Sequence, residues 1–234
     1  MISVCLASYN GGKYIHEQIA SILKQLSDKD ELVISDDGST DNTISIIRSF
    51  EDSRIKLIQN CGRKGFVGNF ENALNNASGD YIFLSDQDDI WKDGKVSKLL
   101  GYLKKYDLVV HDAELIDGNG DSLGKNYYSV LHHRTSFLGN LWKTRFLGCC
   151  MAFRKEVRDD CIPIPPKIVA HDYWIGMLAL TKYKVGFVLD TLISYRRHGG
   201  NVSPSSEESN NSLYYQLIVK RLVLIFELAK KRWL

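Results

Sequence analysis

Three carboxylates fall within four residues at Asp86-Gln87-Asp88-Asp89, directly after the apolar run Tyr81-Ile82-Phe83-Leu84-Ser85. Acids this crowded repel one another unless a cation neutralises them, and a hard divalent ion with oxygen ligands is the natural partner. Capping a following helix at Lys92–Tyr106 accounts for one acid, hardly for three. A second acidic turn, Ser35-Asp36-Asp37-Gly38-Ser39-Thr40-Asp41, supplies one carboxylate to bond the turn and leaves its neighbour to accept hydrogen bonds from a nucleobase or ribose. In Ala7-Ser8-Tyr9-Asn10-Gly11-Gly12, an aromatic that could lie against a base stands beside glycines that permit close backbone approach.

Two further motifs lie in the second half. His171-Asp172-Tyr173-Trp174 opens a helix with an acid, and a carboxylate within hydrogen-bond reach can take a proton from a hydroxyl. The helix N-terminus favours its ionised form, and simple capping is the competing role. In Tyr195-Arg196-Arg197-His198-Gly199-Gly200-Asn201-Val202-Ser203 an imidazole suited to manganese-like ions stands beside two arginines able to face phosphates. His16, His111, His132 and His133 have no comparable setting, and His111-Asp112 reads as structural at a strand end.

These clusters need a frame. Strands are predicted at Ile2–Ala7, Leu32–Ser35, Ile55–Gln59 and Tyr81–Ser85, with helices near Tyr14–Leu26, Asp41–Phe50 and Phe66–Ala77. Such alternation argues for a parallel sheet with crossover helices, in which ligands bind beyond the carboxyl ends of the strands. Leu108–His111 reads as another strand, Asp117-Gly118-Asn119-Gly120 as a hairpin turn and Gly148–Phe153 as an apolar strand. A helix from about His171 to Leu180 and a Val185–Tyr195 strand follow. The expected division is a body at 1–204, with a nucleotide-binding half to about 110 and an acceptor half beyond it. A polar linker at 205–212 and a helix at Leu213–Leu234 complete it.

At 234 residues with 44% hydrophobic content the chain can bury one large core. A formal charge of +2 with interspersed signs gives no nucleic-acid footprint. The five cysteines lack C-x-x-C spacing and point to a reducing cytoplasm, with the thiols of Cys149 and Cys150 as small core fillers. The N-terminus reads as a strand rather than a signal peptide, and no segment reaches the length of a transmembrane helix.

Taken together, the motifs over about residues 2–204 resemble an inverting family 2 glycosyltransferase of the GT-A fold, of the bacterial O-antigen or capsule type. The resemblance implies an α/β fold with a mostly parallel, Rossmann-like central sheet. It implies nucleotide contacts at Tyr9 and Asp37, although Ala7 stands where a hydroxyl residue is sometimes found. Asp86 and Asp88 resemble the acids of the family's DxD element, with Asp88 as direct ligand of Mn²⁺ or Mg²⁺. Asp89 would orient a donor hydroxyl or cap the next helix. Arg63 or Lys64 would approach the diphosphate, with Arg196 or Arg197 assisting, His198 would complete the metal site, and Asp172 would be the catalytic base. The implied donor is a UDP-hexose, with dTDP-rhamnose open, and the implied acceptor is a glycan hydroxyl, on a lipid-linked intermediate. A nucleotidyltransferase would want a Gly-rich basic phosphate loop, of which Ser8-Tyr9-Asn10-Gly11-Gly12-Lys13 is a poor version. A non-catalytic carbohydrate-binding protein would not need Asp88, Asp172 and His198 together.

In Leu213–Leu234, Gln216, Lys220, Glu227 and Lys231 form a narrow polar stripe among leucines, isoleucine and phenylalanine, and bases outnumber acids. Such a helix fits an anionic membrane surface on the cytoplasmic side, the body of the domain, or a second subunit in a homodimer.

Overall fold

The computed structural model describes residues 1–131, 135–198 and 219–233, except the side chains of 130, 131, 232 and 233. The expected linker at 205–212, the first turns of the last helix, the Gly199-Gly200 pair, His132 and His133 lie outside the described residues. Four strands, β1 (Ile2–Ser8), β2 (Glu31–Asp36), β3 (Ile55–Gln59) and β4 (Tyr81–Ser85), pair in parallel in the order β3-β2-β1-β4. Their crossovers are α1 (Ile15–Leu23), α2 (Thr43–Arg48) and α3 (Phe66–Asn75). β1, β2 and β4 are buried along nearly their whole length, which is why they read as continuous apolar runs rather than alternating ones. α1 turns Ile15, Ile19 and Ile22 onto the sheet at helical spacing.

Register then gathers the polar clusters. Ser8 lies opposite Asp36, and Leu6 opposite Ser85, so Tyr9, Asp37 and Asp86 leave the sheet at one edge. This is the carboxyl edge of the parallel strands.

The second half extends the same nine-stranded sheet. It comprises β5 (Ile90–Trp91), α4 (Lys95–Tyr102), β6 (Leu108–Ile116), β7 (Ser122–Asn126), α5 (Tyr127–Leu131) and α6 (Phe137–Trp142). β8 (Met151–Arg154), α7 (Lys155–Cys161), α8 (His171–Lys182), β9 (Val185–Arg196) and α9 (Lys220–Trp233) complete it. The order continues β4-β8-β6-β9-β5, with β7 on β6. β8 runs antiparallel to both β4 and β6, so the sheet is parallel through its first strands and mixed beyond. The Asp117–Gly120 turn does join two antiparallel strands, β6 and β7, with Gly120 at φ 99.

Some expectations are corrected. The helix foreseen over Lys92–Tyr106 is shorter, because Ile90–Trp91 first pairs with β9 and Gly94, left-handed, starts the helix. Of the strand foreseen at Gly148–Phe153, residues Gly148–Cys150 form a 3₁₀ turn, which bends the chain toward the start of α8. Cys5, Cys149, Cys150 and Cys161 are buried free thiols within the core; Cys61 is exposed.

Candidate active site

The acidic segment is held from both sides. From α1, Gln18 donates to Ser85 Oγ at 2.6 Å and to the Asp86 carbonyl at 3.0 Å. Gln87 accepts from the Tyr9 amide at 2.9 Å and donates to the Tyr9 carbonyl at 3.1 Å, so the end of β1 and the acids after β4 are locked together. A Cβ on Gly11 would lie 2.2 Å from Gln87 Oε1, which explains the glycine there. With its backbone clamped, the Tyr9 ring stands 56% exposed at the rim.

The three acids divide by direction. Asp88 Oδ2 meets His198 Nε2 at 3.0 Å, and the His198 ring lies against Tyr14 with centroids 4.9 Å apart. Burial raises the Asp88 carboxyl, and the hydrogen bond and charge of His198 oppose the rise. Asp86 and Asp89 turn toward Cys149, and donor atoms of these three residues all lie within 4.8 Å of one another. Burial, then the charges of Asp88 and Asp172, push Asp86 up to about 7. Asp89 is buried outright, its carboxyl held well above the usual range by burial and by its two neighbours. Its Oδ1 accepts from the Arg196 amide at 3.0 Å, and its Oδ2 has no partner beyond the facing Cys149 thiol. Behind them Lys95, also buried, donates to the Cys149 carbonyl at 2.8 Å and lies 4.4 Å from the Trp91 ring; burial lowers its ammonium to about 8. Three carboxylates against one buried ammonium leave a local deficit of positive charge that a divalent cation would fill.

Asp172 closes the other wall. It sits in the first turn of α8, where Ala170 gives no side-chain cap, and its Oδ1 accepts from the Tyr173 amide at 2.7 Å. Burial pushes the carboxyl up to about 6 against hydrogen bonds from the Tyr173 and Gly148 amides. A Cβ on Gly148 would come within 2.8 Å of His171 Nε2, so only glycine lets this backbone approach. His171 itself is structural: its ring stacks on Phe70 at 3.9 Å, and burial lowers it to about 3. The Gly148 Cβ position lies 3.7 Å from Asp172 Cβ, and the next residue, Cys149, has its thiol within 4.8 Å of donor atoms of Asp86 and Asp89, so Asp172 lies near the acidic segment and its charge reaches Asp86 and the Tyr127 hydroxyl.

Asp86, Asp88, Asp172 and His198 therefore come together, and Tyr9 and Asp37 stand at the same edge. Asp37 is more occupied than foreseen: Oδ1 accepts from Asn60 at 2.9 Å, Oδ2 from the Gly65 amide at 2.7 Å, and Lys64 lies 3.4 Å away. Oδ2, with the Gly65 amide alone, retains one further acceptor site. Three expected donor contacts are corrected. Asp89 is buried and fastens β9, so it neither faces a donor hydroxyl nor caps α4. Arg196 is 2% exposed and turns inward to Glu17 at 2.8 Å and the Asp88 carbonyl at 2.8 Å, over the Tyr14 ring, because a buried guanidinium needs such partners. Arg63 donates to the Ile168 carbonyl at 2.7 Å and so ties its loop to the approach of α8. Lys64 and Arg197 keep exposed side chains. The glycine loop is no phosphate cradle, since the Gly11 amide donates to Thr43 and the Gly12 amide to Asp41. Gln87, Lys95 and Tyr127 were missed; only Gln87 carried a signal, its place between the acids.

Residues 3–162 match the family model of glycosyl transferase family 2. An Escherichia coli protein named UDP-Glc:alpha-D-GlcNAc-diphosphoundecaprenol beta-1,3-glucosyltransferase WfgD is 37% identical over 121 residues, 51% of this chain and 48% of that protein. The present chain thus matches less than half of that relative's length. Among solved structures, Staphylococcus aureus TarS 1-349 in complex with UDP-GlcNAc has a TM-score of 0.74 at 22% identity, covering 98% of this chain and 69% of that one. The mannosyltransferase PcManGT from Pyrobaculum calidifontis, in complex with GDP-Man and Mn²⁺, has a TM-score of 0.64 at 21% identity, covering 98% and 64%. At these identities the likeness is one of fold, and that fold is GT-A.

Proposed function

Because this chain belongs to glycosyl transferase family 2, we propose that it moves a hexose from a UDP-sugar onto a hydroxyl of a lipid-linked glycan, with inversion at the anomeric carbon. One observation carries the reading: Asp172 opens α8 beside Gly148, and the adjoining Cys149 thiol lies against Asp86, on the same acidic segment as the Asp88–His198 pair. A base and a seat for a leaving group thus lie near one another. The relative's name supports a UDP-glucose donor, and the fold neighbour is seen with a UDP-sugar.

An oxygen and an imidazole ligand 3.0 Å apart at Asp88 and His198, with Asp86 on the same segment, suit a divalent cation, and a fold neighbour is seen with Mn²⁺. Asp88 and His198 would hold it, with Asp86 next to them. Bound there, Mn²⁺ or Mg²⁺ supplies charge to the departing diphosphate. Tyr9 would lie against the base and Asp37 would bond the ribose or the base, while Lys64 and Arg197, both exposed, would approach the phosphate oxygens. Asp172 takes the proton of the acceptor hydroxyl as that oxygen attacks the anomeric carbon; the carbon–oxygen bond to the diphosphate breaks with its electron pair on the leaving group. The proton ends on Asp172. Attack from the face opposite the diphosphate gives inversion.

The test is transfer from a panel of UDP-sugars to polyprenyl-diphosphate sugar acceptors, with the product's anomeric configuration read by NMR. Inverted product that disappears in Asp172→Asn is the expected result. Retained configuration, or full turnover without Asp172, overturns the assignment.

A further inference from the structure

α9 is docked on the domain and yet offers its apolar side to the outside. It is held by the buried Leu224 and Leu228 and by Lys231, which donates to the carbonyls of Asp160 at 2.8 Å and Ile162 at 3.0 Å. Arg221 donates to the Leu141 carbonyl at 2.6 Å and also to that of Trp142, whose ring lies 5.3 Å from the guanidinium. On the opposite side Leu222, Ile225 and Phe226 recur at helical spacing and are 60%, 43% and 58% exposed. Trp142, 67% exposed, and Leu138, one turn before it on α6, extend this surface past Arg221. A helix that merely covers a domain turns its polar stripe to water. Here Lys220, Glu227 and Lys231 are partly covered and the large apolar residues look outward.

We propose that this face of α6 and α9 seats on an anionic lipid surface, with the helix lying in the plane of the headgroups. Among the described residues no helix is long and apolar enough to cross a membrane, so the contact is interfacial. Charge decides against a second copy of the chain. The patch is bordered by Lys143, Lys220, Arg221 and Lys230, and the acid of α9, Glu227, has a side chain only 13% exposed. A two-fold contact would set this patch against itself, base to base, whereas anionic headgroups complement it. The placement also suits the cavity. Tyr173, next to Asp172, donates its hydroxyl to the Leu141 carbonyl at 3.4 Å, so the base and the patch share the packing of α6 on α8. The seating stands on the patch alone; its use in presenting a lipid-linked acceptor rests on the function proposed above.

The test is co-sedimentation of the full chain with phosphatidylglycerol–phosphatidylcholine vesicles and with phosphatidylcholine alone. The variants Leu222→Ser/Phe226→Ser and Leu138→Ser/Trp142→Ser are run alongside, each checked by thermal melting. The full chain should partition onto the anionic vesicles, less so as salt is raised, and each folded double variant should lose about tenfold or more in partitioning. Equal partitioning by the variants and the parent overturns the seating. So does a concentration-dependent dimer in sedimentation velocity that the same substitutions abolish, without vesicle binding. Vesicle binding by a chain that transfers no sugar leaves the seating in place and removes only the proposed reaction.

Discussion

Titration of Asp172 should set the acidic limb of the activity profile. Burial places its carboxyl at about 6, and a base must be ionised to accept the proton. From about pH 7 down to about pH 5 the ionised fraction drops from roughly nine-tenths to roughly one-tenth, so the rate should fall about tenfold. Asp86, pushed to about 7 by burial first and then by the charges of Asp88 and Asp172, is still largely neutral while Asp172 titrates. A cation at Asp88 draws both midpoints down without changing the sign. Replacing the base with Asp172→Asn removes this limb and should lower kcat by about 10²–10⁴, with little change in KM for the donor. Initial rates of UDP release from UDP-glucose, with and without acceptor and at saturating Mn²⁺, measure both quantities. A variant that turns over at the parental rate, or a parental profile with no acidic limb anywhere below about pH 7, refutes the role of Asp172.

His198→Ala leaves Asp88 without its partner and should raise the Mn²⁺ concentration needed for half-maximal activity by about tenfold or more, read by metal titration after chelation. Without metal, stability should fall as pH rises from about 4 to about 7 and level off above it, because between the ordinary 3.8 and the folded Asp86 value of about 7 the unfolded chain is ionised while the folded carboxyl keeps its proton. Added Mn²⁺ should therefore raise the melting temperature more above that pH than below it; an equal shift at both ends counts against a cation at these acids. Gly11→Ala drives a methyl into Gln87 and should weaken donor binding, whereas Gly11→Ala/Gln87→Ala should be milder than Gly11→Ala alone by isothermal titration with UDP. Lys95→Met strips the Cys149 carbonyl of its donor and should cost about 1–3 kcal/mol in urea unfolding.

The parallel half of the fold was legible because β1, β2 and β4, covered on both faces, must be apolar throughout, and because turns rich in Gly, Asn and Asp separate them from the helices. The second half was less so. β5 has two residues, too few to carry a period, and β8 follows a 3₁₀ turn made of the same apolar residues. What brought the acids into view was crowding, a local property of the chain. The direction of each carboxylate was not local: whether Asp89 faces a ligand or the Arg196 amide depends on β9, 107 residues away. Arg196 misled for the same reason, since its partner Glu17 lies 179 residues back.

That ion pair, with Arg196 buried and Glu17 exposed, bears on how the site is arranged. The acids of the site, Asp86, Asp88 and Asp172, would be easier to fold if they were fully screened by cations of the chain itself, yet the Arg196 guanidinium bonds Glu17 and the Asp88 carbonyl, and Lys95 bonds the Cys149 carbonyl. Both cations brace the segments that carry Asp88 and Asp89 without filling the space in front. The consequence is a site whose carboxyls burial drives toward neutrality and whose ionised form an external cation would favour. Filling that space with a cation of the chain should therefore stabilise the fold while removing the place for a metal and a diphosphate, a trade-off between stability and activity that active sites commonly show.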